Sequence, residues 1–185
     1  MLDLLHKSFS ATEAAALADV SAKRVHKEIE EHILDVPRPP RLPFSAVVYL
    51  RAVRLIDFEL PVAVRTRLAR QLAEAMERPA PADTIEIARL VVLRWCEVRE
   101  ELQQRLERFL AWQGQLVKRA DIMGGQLVFP GSRLSVRRVG EMLERGERPE
   151  VVLEDYPNLT AEDLDFARLY VRAYPRVGRP SSKEH

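Results

Sequence analysis

Residues 121–174 read DIMGGQLVFPGSRLSVRRVGEMLERGERPEVVLEDYPNLTAEDLDFARLYVRAY, and this stretch decides the fold of the C-terminal part of the chain. It opens with two short apolar runs, at positions 126–129 and 134–136, that flank a Pro-Gly-Ser sequence at 130–132. Proline presets one backbone dihedral of a turn, and glycine permits the positive φ that a tight turn needs. The pattern therefore predicts a β-hairpin.

Capping residues predict three helices after this hairpin. Ser135 is placed to cap the first helix and Gly146 to end it, because a hydroxyl accepts a free backbone N–H and glycine adopts the left-handed conformation. Pro149 suits the first position of a second, short helix. Thr160 followed by Asp163 is a capping-box pattern that starts the third. A hairpin and three helices, the last two joined by a tight turn, have helix-turn-helix-like topology.

Four elements of this stretch carry a recognisable set of residues: Ile-Met-Gly-Gly at 122–125, Val-Phe-Pro-Gly-Ser-Arg-Leu-Ser-Val at 128–136, Arg-Gly-Glu at 145–147 and Glu-Asp-Tyr-Pro-Asn-Leu-Thr at 154–160. In residue type and spacing they resemble the domain-of-unknown-function 433 family. The sequence departs from the family pattern at Phe129 and Pro130, where Val or Ile and a basic residue are common, and at Ser132, where Thr is usual. These residues suit a hairpin turn, so the resemblance holds.

Members of that family are commonly antitoxins of the VapB type, encoded beside PIN-domain ribonuclease toxins. The resemblance therefore implies that residues 121–174 form an antitoxin-family domain with a PIN-domain toxin protein as its partner. Such a toxin is expected to present clustered carboxylates that hold a divalent metal ion. An arginine pairs with carboxylates bidentately, so Arg176 and Arg179 are the predicted toxin-binding residues.

The chain ends in a basic tail, residues 175–185, that has little apolar content. Such a composition cannot bury enough surface to fold, so we expect the tail to be flexible when free. The alternative to toxin binding is that it only improves solubility. Counted along the sequence, residues 121–171 carry a net charge of −4 and residues 172–185 carry +3.

Composition describes an ordinary globular protein of 185 residues, with 46% hydrophobic and 31% charged residues and a net charge of +1. No apolar run approaches the roughly 20 residues that a membrane helix needs, so we expect no membrane partner. The single cysteine, Cys96, excludes an internal disulfide framework and favours a cytoplasmic location. The charge is less basic than that of most proteins that coat DNA.

The first 35 residues are predicted to form a helix-turn-helix module. Ser10 and Glu13 make a capping-box pattern that opens an alanine-rich helix reaching Asp19. Ser21 caps a second helix, from 22 to about 34, and the two helices are separated by about three residues. The second helix carries an apolar stripe that should face inward, made of Ala22, Val25, Ile29 and Ile33.

Basic residues near the start of that second helix are the predicted DNA-binding residues. Lys23, Arg24 and Lys27 fall on its outward side, where a recognition helix meets base edges and phosphates. Ser21 adds a hydroxyl, and the helix N-terminus adds backbone N–H groups. The partner would be double-stranded promoter DNA, bound by a homodimer because one short helix buries too little surface. The alternative is a small helical hairpin with a solvated basic edge.

Three later residues of this helix, Glu28, Glu30 and Glu31, are expected to face outward as well and to repel phosphate. DNA contact should then be limited to the N-terminal half of the helix. Residues 36–43 hold most of a proline-rich run that favours an extended linker of ~3 Å per residue. Arg38 and Arg41 in this linker are placed to touch phosphates or to be solvated.

Residues 44–120 are predicted to form a middle helical module. Ser45 is expected to cap one helix and Pro61 to start another, which carries an outward basic edge made of Arg65, Arg67 and Arg70. The β-branched residues of 84–95 favour a strand or hairpin, although a buried helix through them is the alternative. A last helix runs from 96 to about 116, as a core helix or a dimer seam.

Patterns typical of catalysis are missing from the sequence. It holds no glycine-rich phosphate loop, no paired zinc ligands and no nucleophile elbow. Cys96 next to Trp95 is expected to be a small core residue. We therefore expect no enzymatic activity, no catalytic residues, no cofactor and no metal.

These observations predict a mainly α fold with minor β structure: an N-terminal helix-turn-helix, a helical middle module and a C-terminal hairpin with three helices. The predicted function is that of a cytoplasmic antitoxin that binds a PIN-domain toxin and represses its own promoter. Two alternatives remain from the sequence alone. One is a DNA-binding transcriptional regulator without a toxin partner, and the other is an adaptor that binds only protein.

Overall fold

A computed structural model describes residues 7–118 and 126–176. The described residues form eight helices and three pairs of short strands, so the predicted class, mainly α with minor β, is confirmed. The helices are α1 (Ala11–Ala18), α2 (Ala22–Glu30), α3 (Phe44–Leu55), α4 (Val62–Glu77), α5 (Trp95–Gln115), α6 (Val136–Glu144), α7 (Pro149–Asp155) and α8 (Ala161–Ala173).

Each strand pair is antiparallel and lies at a junction between helices. Strand β1 (Ser8–Phe9) pairs with β2 (Leu42–Pro43), β3 (Ile85–Ala88) pairs with β4 (Val91–Leu93), and β5 (Val117–Lys118) pairs with β6 (Leu127–Val128). Because each strand is short, the core is built from helices, and the strand pairs hold the connections in place.

Helix α1 lies at the centre of the fold. Ser10 and Glu13 form the predicted capping box: the Glu13 backbone N–H donates to Ser10 Oγ at 3.2 Å, and the Ser10 N–H donates to Glu13 Oε2 at 2.8 Å. Ala14 and Ala18 are fully buried, since small side chains let α3 and α8 approach closely. Asp19 ends the helix with a φ of 56°, and two residues later Ser21 caps α2.

The proline-rich segment returns the chain to the start of α1. Its last two residues form β2, in which the fully buried Leu42 lies opposite Phe9. Phe44, the first residue of α3, packs near the ring of Phe9, with the ring centroids 6.4 Å apart. Residues 7–35 and the middle helices therefore share one hydrophobic core.

Helix α3 begins earlier than the sequence suggests, so the prediction that Ser45 caps it is wrong. Its N-cap is Pro43, without a side-chain cap bond, and Ser45 lies in the first turn. The reason is that β2 runs directly into α3, whose first residue is the buried Phe44. Pro61 does precede α4 as predicted, and Leu68 and Leu72 form its core face.

The predicted strand or hairpin at 84–95 is confirmed by the pairing of β3 with β4. Trp95 follows as the first residue of α5, fully buried, and its indole N–H donates to the carbonyl oxygen of Ala82 at 2.8 Å. Helix α5 then crosses the core, and its buried face is made of Val98, Leu102, Leu106, Phe109 and Trp112.

The C-terminal hairpin is shorter than predicted. Its turn forms as expected: Gly131 has a φ of 68°, and the Ser132 N–H donates to the Phe129 carbonyl oxygen at 3.2 Å. The second run, 134–136, is not a strand, however, because Ser135 caps α6 and Val136 is already helical. A single bridge joins Val128 to Ser135, and β6 takes β5 as its main partner.

The three C-terminal helices begin and end where the capping residues predict. Ser135 Oγ accepts from the Arg138 backbone N–H at 3.2 Å, and Gly146, with a φ of 95°, follows the end of α6. Pro149 is the first residue of α7, and Thr160 forms a capping box with Asp163. These caps depend on neighbours three residues apart, which is why the sequence reveals them.

An aromatic cluster joins α5 to the C-terminal helices. The ring centroids of Trp112 and Phe166 are 5.6 Å apart, and those of Trp112 and Phe129 are 6.2 Å apart. The Trp112 indole N–H also donates to the Asp163 carboxylate at 2.8 Å, so Asp163 serves both the helix cap and this contact. Among the described residues, no helix combines the length and apolar character that crossing a bilayer requires.

Candidate nucleic-acid interface

The predicted DNA-binding residues all lie in the first two turns of α2 or at its N-cap. Ser21 is exposed, and its hydroxyl accepts a hydrogen bond from the Arg24 backbone N–H at 3.1 Å. Lys23 and Lys27 are exposed, as is His26 between them. The structure therefore places Ser21 and Lys23 at the N-terminal end of the helix and Lys27 in its last turn, with both lysines exposed.

Arg24 differs from the two lysines because its side chain is partly committed to the fold. Its Nε lies 2.7 Å from the Glu28 carboxylate, and its side chain is 37% exposed. Contact with a DNA phosphate would have to compete with this ion pair. Arg24 thus belongs to the predicted set by position but is held by an internal partner.

Glu28 points into the protein, so the prediction that it faces outward is wrong. The residue is fully buried, and its carboxylate accepts from the Tyr49 hydroxyl at 2.8 Å and from Arg65 Nη1 at 2.6 Å. Glu28 lies three residues after Val25, on the same inward face of α2. Burial of a carboxylate requires such partners, and here they come from α3 and α4.

Arg65 is buried, so the prediction that it lies on an exposed basic edge of α4 is also wrong. Its side chain is 7% exposed, and its three nitrogens reach Glu28, Glu31 and the Leu60 carbonyl oxygen. Arg67 donates to the Ile87 carbonyl oxygen at 2.5 Å, whereas Arg70 is exposed. The predicted edge on α4 is therefore reduced to Arg67 and Arg70.

Two pKa shifts follow from this buried cluster. The hydrogen bond from Arg65 is the largest cause that lowers the pKa of the Glu31 carboxyl, and the charges of Arg65 and Lys27 act in the same direction. Burial raises the pKa of the Tyr49 phenol, and the neighbouring Glu28 carboxylate raises it further. Both shifts favour the protonation states in which α2 is fastened to α3 and α4.

The outward charge of α2 is consequently more positive than its sequence suggests. Glu28 is removed from the surface, and Glu31 is bonded to Arg65 at 2.7 Å and lies 3.7 Å from Lys27. Of the three glutamates expected to repel phosphate, Glu30 is the one that stays exposed. His26, which is not among the predicted DNA-binding residues, also lies exposed between the lysines.

The segment after α2 is folded against the end of the helix. The backbone N–H groups of Ile33 and Leu34 both donate to the Glu28 carbonyl oxygen, at 2.9 and 3.1 Å, and both side chains are buried. The chain then continues through Arg38 and Arg41, which are exposed. Both arginines are accessible to solvent, which is required whether they contact phosphates or are only solvated.

One predicted toxin-binding residue lies at the end of the described chain. Arg176 is 63% exposed, and its Nε lies 3.3 Å from the carboxylate of Glu141 on α6. Arg179 lies outside the described residues. Arg176 therefore pairs with an acidic group of its own chain, in an exposed position where such a pair contributes little stability.

Comparison with known proteins places the C-terminal helices in a family. A family model described as "Protein of unknown function (DUF433)" matches residues 116–171, which span β5 to most of α8. The chain is also 31% identical to the uncharacterized protein y4eO of Sinorhizobium fredii over an aligned length of 183. The alignment covers 91% of this chain and 82% of that protein. No solved structure matches the chain. Similarity to y4eO thus extends well beyond the segment that the family model matches.

Proposed function

Because the chain belongs to the DUF433 family, we propose that it is an antitoxin that neutralises a PIN-domain ribonuclease toxin by direct binding. It also represses its own promoter through a helix-turn-helix formed by α1 and α2. The proposal assigns the protein to the cytoplasm, where both partners would be found. It involves no catalytic activity and requires no cofactor.

The DNA-binding half of this proposal rests on one observation: α2 exposes its lysines and buries one of its glutamates. Lys23 in the first turn and Lys27 in the last turn of the helix are both exposed, while the acidic Glu28 of the same helix is fully buried. Lysines contact phosphates as point charges, and the free N–H groups of a helix N-terminus favour anions. Ser21, at the N-cap, adds a hydroxyl at the same end.

A homodimer is part of the proposal because α2 is short. A helix of nine residues presents about two turns to a groove. Two copies on a palindromic site double the contacts and fix the half-site spacing. The buried cluster around Glu28 supports this role, since it holds α2 at a fixed angle on α3 and α4.

The toxin-binding half rests on the family resemblance and on the basic C-terminal residues. Arg176 is exposed and its present partner, Glu141, is a surface carboxylate that a metal-site carboxylate of the toxin could replace. Arg179 would bind in the same way. Arginine suits this role because its planar fork bonds a carboxylate through two parallel N–H groups.

A mobility-shift titration on the protein's own upstream DNA tests the DNA-binding half. Lys23→Ala combined with Lys27→Ala should weaken binding and lower the salt dependence by about one unit for each phosphate that a lysine no longer neutralises. Arg70→Ala combined with Arg94→Ala is the matched control, because both arginines are exposed and lie outside α1 and α2. An unchanged shift in the lysine variant would show that α2 is not the recognition helix.

Co-expression with a PIN-domain toxin, if the reading frame next to the gene encodes one, tests the toxin-binding half. The full chain should protect cells from the toxin, and a chain ending at residue 175 should protect less. A truncated chain that protects equally well would assign toxin binding to the folded helices rather than to the tail. A full chain that neither protects nor binds the toxin would contradict the antitoxin proposal.

One alternative is a DNA-binding transcriptional regulator without a toxin partner. The ion pair between Arg176 and Glu141 favours it, because this arginine already has a carboxylate partner in its own chain. DNA binding without toxin binding would identify that alternative. Toxin or other protein binding without a salt-dependent mobility shift would instead identify an adaptor that binds only protein.

A further inference from the structure

A groove of about 500 Å³ lies between α1, α3, α5 and α8, away from the exposed lysines of α2. Charged side chains dominate its lining, with five arginines and four acidic residues. The arginines are Arg51, Arg105, Arg108, Arg168 and Arg172, and the acids are Asp19, Glu101, Glu162 and Asp165. So many guanidinium groups facing one groove make it a candidate anion site.

Four of these five arginines form ion pairs with carboxylates of the same chain. The pairs are Arg51 with Glu101 at 2.8 Å, Arg108 with Glu162 at 2.5 Å, Arg172 with Asp19 at 3.3 Å and with Glu144 at 2.9 Å, and Arg168 with Glu144 at 3.6 Å. Glu144 belongs to α6 and is not among the residues that line the groove. These pairs hold the arginines in position and engage three of the four acidic side chains that line the groove.

Arg105 is the exception, because no carboxylate oxygen in residues 7–118 and 126–176 lies within 4 Å of its guanidinium. Its single hydrogen bond goes to the Leu17 carbonyl oxygen, at a long 3.5 Å. Burial lowers the pKa of Arg105, and the neighbouring charge of Arg51 lowers it further. The carboxylates of Asp19, Glu101 and Asp165 raise the pKa of Arg105 from a greater distance, so the groove contains a half-buried cation without a direct carboxylate partner among the described residues.

An unused hydrogen-bond donor in the same groove gives a second, independent indication. Nε of Arg51 is buried and has no hydrogen-bond partner among the described residues, whereas the buried Nε of Arg168 lies 3.6 Å from the Glu144 carboxylate. A buried N–H without an acceptor costs free energy comparable to a missing hydrogen bond. An oxyanion in the groove would accept from such a donor and offset the charge of Arg105 at the same time.

We propose that this groove binds the phosphoryl group of a small molecule, with Arg105 as the main contact and with Arg51 donating its unused N–H group. A phosphate monoester carries a charge of about −1.5 to −2 at neutral pH, which suits two adjacent guanidinium groups. Its oxygens match the planar fork of arginine. The volume lies within the roughly 300–1,000 Å³ of small-molecule sites. This proposal does not depend on the antitoxin assignment.

Isothermal titration calorimetry at constant ionic strength tests the site, with inorganic phosphate and adenosine monophosphate as separate ligands. The wild-type chain should bind at one saturable site. Arg105→Gln should weaken binding by at least about tenfold, since it removes a hydrogen bond between charged groups. Arg70→Gln is the matched control, because Arg70 is exposed on α4, outside the groove, and should leave binding unchanged.

Gln104→Glu provides a second variant that does not remove a structural contact. Gln104 is exposed on α5 and lines the groove, so a carboxylate there should repel the ligand and weaken binding even if Arg105→Gln fails to fold. Tighter binding of the nucleotide than of phosphate would identify an organic phosphate as the ligand, and equal binding would identify free phosphate. The proposal is overturned if neither ligand binds the wild type saturably, or if Gln104→Glu binds as tightly as the wild type.

Discussion

The Glu28 carboxylate on α2 lies 2.6 Å from the Arg65 guanidinium on α4, and both side chains are removed from solvent. Tyr49 on α3 completes the cluster by donating its hydroxyl to the same carboxylate. One buried charge therefore fastens the candidate recognition helix to two neighbouring helices. The position of α2, and of the lysines it carries, depends on this pair.

Removal of the Glu28 charge should destabilise the protein strongly. Glu28→Gln leaves Arg65 with its Glu31 partner alone, in a buried site, and breaking one side of a buried pair costs roughly 3–5 kcal/mol. The free energy of unfolding from urea titration measures the effect. Glu30→Gln is the control: Glu30 is exposed on the same helix, so the change should stay within about 0.5 kcal/mol. Equal effects of the two variants would contradict the role given to Glu28.

Arg24 and Lys23 should behave differently although they are adjacent. Arg24→Ala removes a partner of the buried Glu28 and should lower the free energy of unfolding by about 1 kcal/mol, because the pair is partly exposed and screened. Lys23→Ala should leave stability unchanged and reduce only DNA affinity. Thermal unfolding and mobility-shift titration of both variants separate the two effects. Equal loss of stability in both would show that Arg24 does not support Glu28.

The local features of the fold could be predicted from the sequence because they depend on neighbours. The Ser10 cap, the Ser135 cap and the turn at Gly131 each involve residues at most four positions apart. Each has a pattern in the sequence that the backbone chemistry explains. The same reasoning predicted the limits of α5 and the pairing of β3 with β4.

The corrections at Glu28, Arg65 and Ser45 involve contacts between distant parts of the chain. Glu28 and Arg65 are 37 positions apart, so helical periodicity alone places each on a polar surface. The burial of both becomes favourable only when α2 and α4 pack together and pair the two charges. The prediction that Ser45 caps α3 is wrong for a related reason: the pairing of β2 with β1 determines where α3 begins. The sequence cannot reveal such partners without the fold.

The alkaline limit of stability should depend on Tyr49. Burial raises the pKa of its phenol in the folded state, whereas the unfolded chain has the usual value of about 10. The folded state then holds a proton that the unfolded state releases, so the stability that Tyr49 contributes is present below about pH 10 and decreases as the pH rises above it.

Tyr49→Phe tests this pH dependence directly. The variant should be less stable than the wild type at neutral pH, because Glu28 loses a donor. Its free energy of unfolding should nevertheless fall less steeply between about pH 9 and about pH 11, since the titrating phenol is absent. Tyr174 also has a raised pKa, of about 12, chiefly from burial. Tyr174→Phe is therefore the comparison, and Tyr49 is expected to account for more of the alkaline slope.

The contact between α6 and α8 gives the last prediction. A Cβ added at Gly140 would collide with the carbonyl oxygen of Ala167 and with the side chain of Val171, so the two helices approach more closely than any other residue would allow. Gly140→Ala should force them apart and cost about 1–3 kcal/mol of unfolding free energy.

Gly114 near the end of α5 is the matched control, because the space around its Cα is open. Gly114→Ala should stabilise the protein by up to about 1 kcal/mol, since alanine favours the helix over the unfolded chain. Opposite signs for two identical substitutions would locate the effect in the α6–α8 contact rather than in helix propensity. If Gly140→Ala were also stabilising, α6 and α8 could not be in the close contact described here, and the role given to Gly140 would be wrong.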